Sequence, residues 1–209
     1  MYFCAVNETY LSILKKAGET FIRLGVRSVT MDDLCRELGI SKKTLYAHFE
    51  DKNALVLAVL KAHIEFTEKL ATEVFYQESE NPMAQFIQFT ECMAPQMQSM
   101  HPALLHDLQK YHQDAWNLLE THKSTFVFDL IRQNLERGIK AGYYRNTIHV
   151  PLVAGFYTSL ADELIGGKRF PHQPLSLLEI HREMIHYHLH GIASEKGFEY
   201  LKKTAQKYQ

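Results

Sequence analysis

Apolar side chains return every three or four residues along most of this chain. Tyr10, Ile13, Leu14, Ala17, Phe21 and Leu24 fall on one helical face, and Gly25 is suited to end that helix in a left-handed cap. Thr30 predicts an N-cap for a second helix through Leu38, with Asp32 and Asp33 in the first turn at the positive end of the helix dipole. Gly39 closes that helix. Ser41 caps a third, over 42–48, and Ile40 and Leu45 are spaced as a hydrophobic staple across its start. A fourth helix begins at Asp51 and extends to about Ser79.

The second half reads the same way. Asn81-Pro82 is a cap followed by proline at the first helical position, opening a helix over 82–94 that Pro95 ends or kinks. His101-Pro102 is another start. A helical stretch over 103–141 breaks near Tyr111 and stops at Gly142. A helix from His149 to Ile165 ends at Gly166-Gly167, and Lys168 to Pro174 is a loop with two prolines. Helices over 175–190 and 195–207 finish the chain, with Gly191 and Gly197 as punctuation. There is no strand alternation and no internal repeat. The expected fold class is all-α.

Composition narrows the class. The chain has 209 residues, 46% hydrophobic and 22% charged, as in an ordinary globular protein of one or two domains. No apolar run reaches the roughly 18 residues of a membrane span. The opening MYFCAVNETY does not have the pattern of a signal peptide. Cys4, Cys35 and Cys92 are scattered and odd in number, which fits a reducing cytoplasm and offers neither a disulfide framework nor a zinc site. The formal charge is −1, and the first 55 residues carry eight basic and seven acidic side chains, so bulk charge alone does not point to nucleic acid. A DNA-binding reading needs a local patch, and Lys42, Lys43, His48 and Lys52 supply one.

That patch lies on a recognisable unit. Two helices joined by a tight turn at 30–48 have the pattern of a helix-turn-helix. Leu34 and Leu38 face inward from the first, Leu45 and Phe49 from the second. Lys42, Lys43, Tyr46 and Ala47 are left on the outward face, with Thr44 and His48 at its margins. Lysines there reach guanine edges or phosphate, Ser41 and Thr44 bond either, and the Tyr46 hydroxyl suits a phosphate. Lys52, at the start of the fourth helix, reads as a phosphate anchor.

The order Gly25, Val29-Thr30-Met31-Asp32-Asp33-Leu34, Leu38-Gly39-Ile40-Ser41-Lys42, Thr44-Leu45-Tyr46, His48-Phe49, Asp51-Lys52 and Leu55 resembles the N-terminal domain of the TetR (tetracycline-repressor) family of bacterial transcription regulators, over roughly residues 8–60. Gly138-Ile-Lys-Ala-Gly-Tyr-Tyr-Arg145 is similar to that family's connection between its seventh and eighth helices. Cys35 stands where the family usually has alanine.

The resemblance implies a DNA-binding domain over 1–52 and a larger helical ligand-binding and dimerisation domain over 53–209. It implies a homodimer that places two recognition helices in successive major grooves of a palindromic operator. Ser41, Lys42, Lys43, Thr44, Tyr46 and His48 become the recognition contacts, and Thr30 and Lys52 the phosphate contacts. The expected activity is a transcriptional regulator, a repressor released from its operator by a small-molecule effector, with no cofactor, no membrane and no catalysis.

The C-terminal part carries bulky groups at helical spacing. Such a stripe is core first, and soft Met and aromatic side chains also suit an adaptable apolar cavity, for which Phe89, Met93, Trp116, Phe126 and Tyr157 are the candidate lining. The helix 150–165 sets small residues among large ones (Leu152, Val153, Gly155, Phe156, Ser159, Leu160 and Leu164), and the helix 175–190 presents a comparable stripe through Leu178, His181, Ile185 and Leu189. Two such helices per subunit make either a four-helix dimer interface or the core of one subunit.

Of twelve histidines, four lie in 101–122 and five in 172–190. His186 and His190 share a helix face, which suits metal ligation, a pH-sensitive interface or an interface helix that simply carries polar histidines. No catalytic motif is present. Asp107 with His112, or Asp162 with Glu163, are the nearest approach to an acid–base pair.

Overall fold

A computed structural model describes residues 2–75, 81–98, 101, 103–166 and 176–207. The end of the fourth helix at Ser79, Pro102 and the loop from Lys168 to Pro174 lie outside the described residues, as do the side chains of Cys4, Asp162 and Leu164. The described residues are helical almost throughout, as the periodicity predicts. They form α1 (Tyr2–Leu24), α2 (Met31–Leu38), α3 (Lys42–His48), α4 (Lys52–Phe75), α5 (Pro82–Gln98), α6 (Leu104–Tyr111), α7 (Gln113–His122), a π-helical turn (Lys123–Val127), α8 (Phe128–Lys140), α9 (Val150–Gly166), α10 (Leu177–Ile192) and α11 (Glu195–Lys207). An isolated antiparallel bridge joins Tyr144 to Ala193.

The chain packs as two compact units. The first comprises residues 1–67 and 99–121, so α6 and α7 rejoin the N-terminal helices. Its core contains Ile13, Ala17, Phe21, Val26, Leu34, Leu45, Phe49 and Leu55, together with Leu108 and Ala115 from the returning segment. The second comprises residues 68–98 and 122–209. Its core contains Phe75, Met83, Phe86, Ile131, Leu135, Tyr144, Tyr157, Ile185 and Leu189.

Caps explain several helix starts. The Asn81 side chain accepts from the backbone N–H groups of Met83 and Ala84, both at 3.1 Å, with Pro82 at the first position of α5. Ser176 and Glu179 form a reciprocal capping box on α10.

A close approach explains the glycine in the connection after α8. A Cβ at Gly138 would lie 2.0 Å from the Tyr144 ring, whose hydroxyl donates to Asn134 Oδ1 at 3.0 Å. The Asn134 amide in turn donates to Pro82 O at 2.9 Å, tying α8 to the start of α5.

The structure sharpens several helix boundaries and interiors. Helix α5 continues past Pro95 to Gln98, because a proline one turn from a helix end removes only one interior backbone hydrogen bond. Helix α10 passes through Gly191 and α11 through Gly197, where tertiary packing outweighs glycine's weak helix preference. The break near Tyr111 occurs at His112. The π-helical turn after α7 has no signal in the apolar spacing, since it adds residues to a turn without interrupting the helix.

Candidate nucleic-acid interface

The first unit builds its exposed polar surface from two capped helices. Thr30 caps α2: its hydroxyl accepts from Asp33 N at 3.1 Å, and the Asp33 carboxylate accepts from Thr30 N at 2.9 Å. The Thr30 hydroxyl also donates to Asp33 Oδ2 at 2.6 Å, and hydrogen bonds to the carboxylate hold it down at about 2, the Thr30 side chain first, then its backbone N–H and Arg36. Gly39 takes the left-handed conformation at φ 65°, allowing the chain to reverse within two residues. Ser41 then caps α3 by accepting from Thr44 N at 3.1 Å, and its hydroxyl lies 2.9 Å from that of Thr44.

Burial sets the aim of α3. Leu34, Leu45 and Phe49 are buried, and Leu38 packs against the same core half-exposed. Lys42, Lys43, Tyr46 and Ala47 are exposed, and Thr44 and His48 are half-buried at the edges.

The candidates differ in how free they are. Lys42 Nζ sits 2.7 Å from Asp32 Oδ2, and this bond raises the lysine's pKa. Lys43 is exposed on the same turn. The Tyr46 ring is 49% exposed, enough to lie against a ligand. His48 is anchored from behind by Tyr10 and Phe49, with ring centroids 6.0 and 6.3 Å away.

Lys52 opens α4, just after Asp51, whose carboxylate accepts from Ala54 N at 2.8 Å. Partial burial lowers the Lys52 pKa, against the opposing pull of Asp107 and Asp33. Thr30, Asp32, Asp33, Cys35, Arg36, Gly39, Ile40 and Lys42 line an open depression of about 620 Å³ beside the turn.

Sequence spacing did not reveal what lies behind this surface. Asp107, from α6, is buried and accepts from Arg27 N at 2.9 Å in the turn between α1 and α2. His112 is buried, and its Nδ1 donates to Asn53 Oδ1 at 2.6 Å in the first turn of α4. The Asp107 and His112 of the possible acid–base pair thus hold structural partners. Neither contact could have been read from helical period, because their partners are 80 and 59 residues away.

The candidate effector residues distribute over both units. Trp116 packs against the core of the first. Phe89, Met93, Phe126 and Tyr157 belong to the second. Phe89 meets Phe75 edge-on at 5.1 Å, and Phe126 stacks on His122 at 5.4 Å. Tyr157 is buried against Phe86 at 5.3 Å and His188 at 5.0 Å, and burial pushes His188 down to about 4.

The two apolar stripes part company. On α10, His181, Ile185 and Leu189 are interior to the second unit, so that stripe is core, and Tyr187 is exposed. On α9, Leu152, Phe156 and Leu160 are exposed at successive turns. His186 and His190 have ring centroids 3.9 Å apart, with His190 Nδ1 2.8 Å from His186 O. Among the described residues no three His, Cys, Asp or Glu side chains are grouped to hold a metal. None of the helices is long and apolar enough to cross a membrane, among the described residues.

Comparison with known proteins bears on this surface. Residues 13–59 match the family described as bacterial regulatory proteins, tetR family. The chain is 37% identical over 93 residues to an uncharacterized HTH-type transcriptional regulator, YvaF, of Bacillus subtilis. That match covers 44% of this chain and 49% of the relative, about half its length. It is 22% identical over 197 residues to the HTH-type transcriptional repressor KstR2 of Mycobacterium tuberculosis, covering 91% of this chain and 96% of that protein. Among solved structures, reduced E. coli NemR superposes with a TM-score of 0.72 at 16% identity, over 89% of this chain and 97% of that one. The M. tuberculosis KstR2 structure superposes with a TM-score of 0.62 at 21% identity, over 90% and 96%. These superpositions show a shared all-helical fold.

Proposed function

We propose that this chain, whose residues 13–59 match the tetR family of bacterial regulatory proteins, is a sequence-specific DNA-binding transcriptional regulator, a repressor released from its operator by a small-molecule effector. The observation that carries this reading is the outward face of α3. A short capped helix exposes Lys42, Lys43 and Tyr46 while Leu45 and Phe49 fix it from behind. Such a helix end presents side chains to base edges and free backbone N–H groups to phosphate.

In this reading residues 1–52 bind DNA and 53–209 carry dimerisation and effector binding. Ser41, Lys42, Lys43, Thr44, Tyr46 and His48 meet the major groove, and Thr30 and Lys52 meet phosphates. Two copies join through α9 and the exposed side of α10, and the row of Leu152, Phe156 and Leu160 supports that choice. The effector lies in the second unit among Phe89, Met93, Phe126 and Tyr157, a set rich in adaptable apolar groups, while Trp116 packs against the core of the first unit. It releases DNA by its differential affinity for a conformation whose recognition helices no longer match the half-sites. The repressor KstR2 supports the sign of regulation.

The test is selection of bound duplexes from a random DNA pool. The expected product is an inverted repeat whose half-sites lie about one helical turn apart. Lys43→Ala then loses roughly tenfold in discrimination at one base position while keeping its grip on unrelated DNA. Equal affinity for selected and random duplexes overturns the reading.

A further inference from the structure

We propose that His112 is a positioning residue for the phosphate contact at the start of α4, and that it takes up a proton when DNA binds there. This rests on the DNA-binding reading above. His112 lies at the joint between α6 and α7, buried within the first unit, and its side chain reaches across to Asn53, the second residue of α4. Lys52, the proposed phosphate anchor, is the adjacent residue. The tie therefore fixes the turn from which Lys52 projects.

The chemistry of the tie leaves room for a proton. Asn53 Oδ1 is an acceptor, so Nδ1 of His112 carries its hydrogen in the neutral ring. A second proton goes to Nε2, and the bond to Asn53 survives in both states.

Four groups set the balance. Burial disfavours the charged ring most, Lys52 opposes it next, and Asp107 from α6 and Asp51 before α4 favour it. In the free protein the first two prevail, and His112 titrates below the ordinary histidine value. The positive end of α4 acts in the same direction as Lys52. A DNA phosphate seated at Lys52 cancels that cationic environment, so the ring's affinity for a proton rises in the complex. Linkage fixes the sign: binding that raises a group's pKa strengthens as pH falls through the bound-state value, and levels off below the free-state value.

The experiment measures affinity of the full-length protein for a fluorescent random-sequence duplex across about pH 5.5 to 8 at low salt, since phosphate contacts do not depend on sequence. The wild type is expected to tighten toward acid by up to about tenfold per pH unit for each proton taken up. His112→Gln, whose amide still donates to Asn53, is expected to keep its affinity near pH 8 and lose most of that tightening. The exposed Asn53→Asp substitution places a carboxylate against the ring and is expected to move the midpoint of the pH response to higher pH, though it weakens binding overall.

His48 is a second histidine on the proposed DNA face, so the same series is run in a His48→Gln background to isolate the His112 share. A pH response unchanged by His112→Gln, or a midpoint unmoved by Asn53→Asp, overturns the inference and leaves DNA binding standing. Failure of the wild type to bind any duplex overturns the DNA-binding reading itself. Should His112→Gln not fold, the Asn53→Asp midpoint decides alone.

Discussion

Lys42 and Asp32 show how a single contact tunes a surface. Their 2.7 Å ion pair joins the first turn of α3 to the first turn of α2, so one of the cations proposed to meet DNA is already shared with a carboxylate. A phosphate approaching Lys42 meets Asp32 as a like charge and must displace it. Asp32→Asn is therefore expected to raise affinity for any duplex severalfold, and to steepen its fall with salt because Lys42 becomes free to replace a counterion. Anisotropy titrations with random-sequence DNA at several salt concentrations read both quantities. Unchanged affinity and slope would mean that Lys42 does not meet phosphate. Lys43, one residue on, is exposed, and in the proposed reading its loss is expected to show in base preference.

At the scale of elements, caps decide where the interface begins. Thr30→Ala removes the side-chain half of the α2 capping box and is expected to cost about 1 kcal/mol of stability. The cost depends on pH through Asp33, whose carboxyl is held at about 2 by Thr30 and Arg36. A depressed carboxyl stabilises the fold above its unfolded value and loses that contribution as pH falls through the folded one. The gap in melting temperature between wild type and Thr30→Ala should hold near neutrality and narrow between about pH 4 and 2. A gap that persists in acid would assign the loss to the Thr30 hydroxyl alone.

The same elements mark what the sequence could convey. Caps and turns were legible because Thr30, Gly39, Ser41 and Asn81 act within three residues of themselves. The aim of α3 was legible because inward and outward positions alternate with helical period. The contacts of Asp107 and His112 were not, since they join segments that only the fold brings together. The α10 stripe was ambiguous for the same reason. Period shows which side of a helix is apolar, and the fold decides whether that side meets its own chain or a second one.

For the molecule as a whole, the proposed function requires two copies, because one seven-residue helix reads only a half-site. The row on α9 suits a symmetric partner. Leu152 is 55% exposed, Phe156 63% and Leu160 40%, four residues apart, which makes a continuous apolar ridge along one helix face. In a two-fold interface each substitution acts twice. Replacing one central aromatic anchor by a charge costs about 2 kcal/mol or more per copy, so Phe156→Glu is expected to weaken the dimer about a thousandfold. Its ring is mostly outside the core, so the helical circular dichroism of the variant should match the parent. Analytical ultracentrifugation should then find monomers at concentrations where the parent sediments as a dimer. DNA affinity should fall in step, as two linked contacts become one. A variant that stays dimeric would move the interface off α9 and leave the exposed ridge to another partner.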